Sequence, residues 1–289
     1  MKLSRLESVS ALREQLAQWR DNGDRIAFVP TMGNLHAGHI NLCTHAKGLA
    51  DRVVASIYVN PMQFGKNEDF GSYPRTLEND EQALLGAGVD AVYLPNESIM
   101  YPHGVESTTR VHVPGASALW CGASRPGHFD GVTTIVAKFF QQVQPDVAVF
   151  GEKDYQQLFL INRMVEDLFM PVDIVGIPTV RESDGLAMSS RNQYLNEAER
   201  KQAANIHKTL LEMERLLKSG DRNYRELEEI AAKKLEKHGF RRDYYAICRV
   251  SDLQPVTDPA EKEVVVLVAA HLGKARLIDN RVISLRNDV

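Results

Sequence analysis

Two kinds of hydrophobic pattern divide the chain. Over the first 178 residues, short continuous apolar runs alternate with segments whose apolar residues recur at helical spacing. The runs Ile26–Val29, Val53–Val59, Val89–Leu94, Val147–Phe150 and Val172–Ile177 are rich in β-branched residues. Continuous apolar strands of this kind suit a parallel sheet covered on both faces. Helices are predicted at Ala37–Asp51, Leu77–Leu85, Val132–Gln141 and Tyr155–Leu168, with Ser8–Trp19 in front. The alternation predicts an α/β fold with a doubly wound parallel sheet. Between Pro95 and Arg125, Pro102, Gly104, Pro114, Gly115 and Gly122 interrupt the pattern. That stretch reads as an elaborated loop with a strand candidate at Thr109–Val113, and Arg125–Gly131 (RPGHFDG) reads as a turn into the next helix.

The pattern changes near Pro178. Two amphipathic helices are predicted at Glu197–Lys218 and Tyr224–Lys237, the first opened by a capping arrangement of Asn196 with Glu199. Strand-like runs follow at Tyr244–Val250, Val264–Ala270 and Ala275–Asp279. The expected organisation is therefore a domain over residues 1–178 and a smaller C-terminal α+β domain over 179–289.

Composition narrows the classes. With 289 residues the chain can bury a core without covalent staples. Its 34 Lys+Arg against 38 Asp+Glu leave a formal net charge of −4, so no global basic excess points to nucleic acid, and any anion site must be local. Cys43, Cys121 and Cys248 are odd in number and widely spaced, which gives neither a disulfide framework nor a CxxC metal site and fits a reducing cytoplasm. The longest apolar run, Val264–Ala270, is too short to cross a membrane, and the start MKLSRLESVS lacks the apolar stretch of a signal peptide. A cytoplasmic protein is expected.

Three turns carry candidate chemistry. PTMGNLHAGH follows the first predicted strand and leads into a helix, placing Thr31, Met32, Gly33 and Asn34 where α/β sheets bind ligands. His36 and His39 share a face of the first helical turn, and Gly38 between them lets a ligand approach. Free N–H groups at a helix N-terminus favour phosphate, and two imidazoles there can hydrogen-bond a polyphosphate as its charge grows. The same residues also read as capping histidines or as a metal pair short of ligands. The motif resembles the HxGH signature of the nucleotidyltransferase superfamily. GEKDYQQ follows the strand Val147–Phe150: Gly151 permits close approach, Lys153 suits phosphate, and Gln157 supplies an amide for a hydroxy acid, while Asp154 with Gln157 also fits a plain capping box. Met188-Ser189-Ser190-Arg191 resembles the KMSKS-type phosphate clamp of the same superfamily with its lysines absent; alone it reads as a polar loop.

Other polar residues are less distinctive. Gln63 after Asn60-Pro61 stands at the sheet edge, as an acid ligand or an ordinary loop glutamine. Asp80 suits Mg²⁺ or a solvated acidic helix face. Arg125 and His128 shape an anionic site or merely order their loop, whereas His45, His103, His112, His207, His238 and His271 read as structural.

PTMGNLHAGH, NPMQF, YPRT, RPGHFDG, FGEKDYQQL and AMSSRN, in this order, resemble the pantoate–β-alanine ligase (pantothenate synthetase) family. The resemblance implies a Rossmann-like nucleotide- and pantoate-binding domain, a C-terminal lid and a cytoplasmic homodimer. It also implies a two-step reaction, in which pantoate attacks the α-phosphate of Mg-ATP and β-alanine then attacks the acyl carbon of pantoyl adenylate. Neither nucleic acid nor membrane takes part. Carried onto this sequence, Pro30, Thr31, Met32, Gly33, Asn34, Leu35, His36, Ala37, Gly38 and His39 bind ATP, with His39 the proton donor. Gly151, Glu152, Lys153 and Asp154 bind ATP, Val180 lies beside the adenine, and Met188, Ser189, Ser190 and Arg191 close over the phosphates. Gln63 and Gln157 bind pantoate, and Asp80 contacts Mg²⁺. His36, His39, Lys153, Ser189, Ser190 and Arg191 form the implied catalytic set. The rival classes are a nucleotidyltransferase making a dinucleotide-like cofactor and a non-catalytic nucleotide- or RNA-binding module.

Overall fold

The computed structural model describes residues 2–65 and 68–285. In chain order the first elements are β1 (Ser4–Leu6), α1 (Val9–Asp21), β2 (Ile26–Thr31), α2 (Ala37–Leu49), β3 (Arg52–Ile57), α3 (Leu77–Gly86), β4 (Ala91–Tyr93) and α4 (Glu97–Met100). Then follow α5 (Cys121–Ser124), α6 (His128–Val143), β5 (Val147–Gly151), α7 (Tyr155–Asp167) and β6 (Asp173–Ile177). The remainder comprises α8 (Glu197–Ala203), α9 (Asn205–Lys218), α10 (Tyr224–Lys237), β7 (Arg241–Arg249), β8 (Glu263–Leu272) and β9 (Ala275–Ser284). These elements form two compact units. One takes Met1–Ser117, Arg125–Glu152 and Gln157–Pro178; the other takes Ala118–Ser124, Lys153–Gln156 and Thr179–Val289.

The first unit holds a parallel sheet in the order β1-β4-β3-β2-β5-β6. Ala27, Val29, Val53, Ala55, Val147 and Val149 are buried in one core cluster, and the intervening Phe28, Val54 and Ala148 are buried as well, which is why these strands read as unbroken apolar runs. From β2 the chain builds outward through β3 and β4, then crosses to β5 on the other side. The carboxyl ends of β2 and β5 therefore flank the topological switch point, the place where open α/β sheets bind ligands. In the second unit β7, β8 and β9 form an antiparallel sheet. Ile206, Leu210 and Met213 of α9 and Leu227, Ala231 and Leu235 of α10 share its apolar cluster.

Three expectations need correction, and one strand is added. Thr109–Val113 is not a strand: the Val111 N–H donates to Thr134 Oγ1 (2.9 Å) and the Val111 carbonyl accepts from Thr133 Oγ1 (2.6 Å), so α6 side chains occupy the groups a strand partner would need. The helix predicted over Glu197–Lys218 breaks at Ala204, where the Asn205 side chain donates to the Gln202 carbonyl at 2.9 Å and competes with the backbone ladder. RPGHFDG is only half a turn, because α6 begins within it at His128, directly after Gly127 at φ +82°. β1 is an additional edge strand of three residues, too short for a periodic signal. The Asn196–Glu199 capping box is present, with both reciprocal bonds at 2.9 Å.

Candidate active site

The loop after β2 is built by backbone constraints. Thr31 Oγ1 donates to the Ser56 carbonyl on β3 at 2.7 Å and accepts the Gly33 N–H at 3.2 Å. Gly33 (φ +79°) and Asn34 (φ +50°) are both left-handed. A side chain on Gly33 would be strained and would stand 3.0 Å from both Asp80 Oδ2 and Ile57 Cγ2. The left-handed pair turns two successive amides onto one carboxylate: Asn34 N–H donates to Asp80 Oδ2 (2.9 Å) and Leu35 N–H to Asp80 Oδ1 (2.8 Å). Thr76 Oγ1 lies 3.2 Å from both oxygens, and Asp80 is only 2% exposed. Asp80 therefore faces the loop as its anchor, and both oxygens are engaged by protein donors.

His36 caps α2, and backbone donors define the state of both histidines. His36 Nδ1 accepts the Gly38 N–H at 3.1 Å, and His39 Nδ1 accepts the His36 N–H at 3.3 Å. With Nδ1 an acceptor in each ring, the neutral imidazoles carry their protons on Nε2. The rings pack at 4.1 Å between centroids. The cap thus orients both rings at a helix N-terminus, a place that favours an anion.

Gln63 ends a short turn, Pro61–Gln63, opened by Asn60. Asn60 is fully buried, and all its side-chain capacity is used. Oδ1 accepts from the Met62 N–H (3.3 Å) and from the Tyr101 hydroxyl; Nδ2 donates to the Gly131 carbonyl (3.0 Å) and to Gln63 Oε1 (3.0 Å). RPGHFDG supports the same turn from its other side. Gln63 O accepts from His128 Nδ1 (2.8 Å) and Arg125 (3.2 Å), while Arg125 also donates to His128 Nε2 (2.9 Å) and, by two 2.6 Å bonds, to Glu68. Burial pushes the Glu68 carboxyl up, but the Arg125 hydrogen bonds outweigh it and hold the group below the ordinary carboxylate range. Gly131 lies so close that a Cβ there would run into the Met62 carbonyl. Arg125 and His128 therefore order the Gln63 turn, while Asn60, Tyr101 and Gly131 are participants that sequence reasoning did not single out.

Gly151 closes β5 at the switch point, with Glu152 after it in the first unit. The two glutamines that follow differ in role. Gln156 is 5% exposed and structural within the second unit, accepting the Cys121 N–H (3.1 Å) and donating to the Leu119 carbonyl (2.8 Å). Gln157 belongs to the first unit and is partly exposed.

In the second unit, Lys153 Nζ lies 3.8 Å from Asp154 Oδ2, and the Lys153 carbonyl accepts from the buried Asn280 side chain at 2.9 Å. A backbone bond from Met188 N to the Val180 carbonyl (2.9 Å), with an Arg181–Ala187 bridge, sets Val180 beside the Met188–Arg191 segment. Arg181 holds this hairpin by two bonds to buried Asp279, at 2.7 and 2.9 Å. Asn192 ties Glu182 (2.9 Å) to the Ala187 carbonyl (3.1 Å), and Arg200 binds Glu182 and Asp184. Ser189 caps the following turn by accepting the Arg191 N–H at 3.3 Å. Among the described residues no group of three or more His, Cys, Asp or Glu is arranged to hold a metal ion.

Comparison with known proteins shows the family. A family described as pantoate-beta-alanine ligase matches residues 4–282. The chain is 56% identical over 276 residues to the pantothenate synthetase of Aeromonas hydrophila, covering 96% of each, and 51% identical over 279 residues to that of Shewanella halifaxensis, covering 96% of this chain and 98% of the relative. Among solved structures, pantothenate synthetase from Thermus thermophilus superposes with a TM-score of 0.90 at 44% identity, covering 99% of this chain and all of that one. Pantoate-beta-alanine ligase from Francisella tularensis, complexed with beta-gamma ATP and beta-alanine, superposes with a TM-score of 0.81 at 32% identity, covering 97% of each chain. With its doubly wound sheet, HxGH loop and small antiparallel domain, the chain belongs to the pantoate-beta-alanine ligase family.

Proposed function

We infer that the chain carries out the family's ATP-dependent condensation of pantoate with β-alanine through the residues described above. The observation that carries the site reading is the β2–α2 loop, whose two histidines are fixed as Nε2–H donors at the switch point. A pantoate carboxylate oxygen attacks the α-phosphorus, the bond to the bridging oxygen breaks, and pyrophosphate leaves with both electrons. The amine of β-alanine then attacks the acyl carbon, AMP leaves, and the amine loses a proton. Because the first nucleophile is already an anion, its attack needs no strong base. The barrier lies in bringing anions together and stabilising charge on the leaving group, so positioning and electrostatics carry the step.

In this reading His36 and His39 donate to the triphosphate, with His39 the donor to the leaving pyrophosphate. Lys153, Ser189, Ser190 and Arg191 add phosphate contacts, Gly151, Glu152, Asp154 and Met188 line the nucleotide, and Val180 meets the adenine by its backbone. Gln63 and Gln157 bind pantoate, and Gln63 also meets β-alanine. Magnesium arrives on the nucleotide. Asp80, with both oxygens engaged by the loop, fits an anchor better than a metal ligand. The lid role of residues 179–289, the homodimer and the cytoplasmic location belong to the same proposal. AMP release that requires acid and amine together supports it; AMP release from ATP alone contradicts it.

A further inference from the structure

Gln63 has its amide turned by groups that lie behind it. The chain of constraint starts at two backbone groups whose polarity is not in question. The Met62 N–H points at one end of the Asn60 amide (3.3 Å) and the Gly131 carbonyl at the other (3.0 Å). The first end must be oxygen and the second nitrogen. With its nitrogen so placed, Asn60 meets Gln63 Oε1 as a donor at 3.0 Å. Gln63 Oε1 is thereby turned toward Asn60, and Nε2, with its two N–H donors, is the end of the amide turned away from it. Tyr101 completes the relay, its hydroxyl donating to Asn60 Oδ1. Its ring is 3% exposed and lies under the ammonium of Lys138, 4.2 Å from the ring centroid. Lys138 is itself held by the Met100 carbonyl (2.6 Å) and Thr108 Oγ1 (2.5 Å). All of these residues belong to the first unit.

We propose that Tyr101 is a positioning residue for acid recognition: acting through Asn60, it holds Gln63 so that its Nε2 donors face an oxygen acceptor of the acid substrate. This deepens the reading of Gln63 as a pantoate ligand and rests on it. Tyr101 is buried behind Asn60 and is not a catalytic residue. Its effect is confined to how sharply Gln63 is aimed. A neutral hydrogen bond removed from such a relay changes affinity by roughly 2- to 10-fold.

The test is a double-mutant cycle read by pantoate-dependent ATP–pyrophosphate exchange. Tyr101→Phe keeps the ring and removes only the hydroxyl. The KM for pantoate is expected to rise roughly 2- to 10-fold with the KM for ATP unchanged, and in a Gln63→Ala background the same substitution is expected to add almost nothing. If Gln63→Ala leaves the pantoate KM unaltered, the reading of Gln63 fails and this inference with it. If Gln63→Ala raises it but Tyr101→Phe multiplies it equally in both backgrounds, Tyr101 does not act through Gln63. A rise in both KM values, or in neither, also overturns the proposal. Should Tyr101→Phe not fold, Asn60→Ser interrupts the relay one step further along and is judged by the same cycle.

Discussion

Replacing Asp80 by asparagine changes one atom and reverses one polarity beneath the loop between β2 and α2. The two carboxylate oxygens each accept a backbone N–H, from Asn34 at 2.9 Å and Leu35 at 2.8 Å, in a place that is 2% exposed. An asparagine can keep one of those bonds but must turn its own NH₂ toward the other donor. The loss is one charge-assisted hydrogen bond, about 1.5–3 kcal/mol, and the N–H left behind adds a desolvation cost of about 1–3 kcal/mol. The loop relaxes part of this by giving up its left-handed pair, so about 2–4 kcal/mol is a reasonable net effect on the geometry that sets His36 and His39. Expressed in the adenylation step, this is a fall in kcat/KM for ATP of roughly 30- to 1000-fold. The assay is ATP–pyrophosphate exchange at saturating pantoate, repeated over a wide range of Mg²⁺. An anchor predicts that the loss persists at every Mg²⁺ concentration. Full recovery at high Mg²⁺ would show that the carboxylate serves the metal and would refute the anchoring argument.

Further outcomes follow from the same geometry. With His39 proposed as the donor to the leaving group, His39→Ala should cut adenylate formation by about 100-fold or more in a single-turnover assay; a near-native rate would contradict that role. Gly131→Ala pushes a methyl group into the Met62 carbonyl and to within 2.8 Å of Gln63 N. At an overpacking cost of about 1–3 kcal/mol, the pantoate KM should rise about 5- to 100-fold while ATP binding is spared; an unchanged pantoate KM would show that the turn yields freely. His207 is held below the ordinary histidine value of 6.5, by burial first and then by Arg181, with Asp279 opposing. The unfolded chain therefore takes up a proton at His207 before the folded chain does, and stability should fall as pH drops from about 6.5 to the lower folded value. His271 is shifted the same way, so the informative measurement is the difference in Tm against pH between the parent and His207→Gln. Identical slopes would exclude a contribution from His207.

The sheet was legible because a strand buried on both faces cannot hide its character: Ile26–Val29 and Val147–Phe150 are apolar at every position. The HxGH turn was legible because its chemistry is local, with cap, glycine and histidines inside ten residues. What escaped reading was carried by separation along the chain. Tyr101 meets Asn60 across 41 residues, and Asp80 meets Asn34 across 46. A carboxylate on a short helix reads as a solvated face or a metal ligand, and only its burial beneath two loop amides reveals an anchor. Thr109–Val113 misled for the converse reason: its β-branched composition suits a strand, yet α6 threonines satisfy the Val111 backbone. The break at Ala204 likewise lies in a helical pattern that a single asparagine side chain interrupts.

The central claim is that one loop, fixed from below by Asp80 and capped by two histidines, prepares ATP for attack by an acid bound near Gln63. Exchange of labelled pyrophosphate into ATP measures that step alone, without β-alanine. The account predicts exchange that depends on pantoate and disappears when pantoate is omitted. Exchange at the same rate without pantoate, or none when pantoate and Mg-ATP are both saturating, would contradict it.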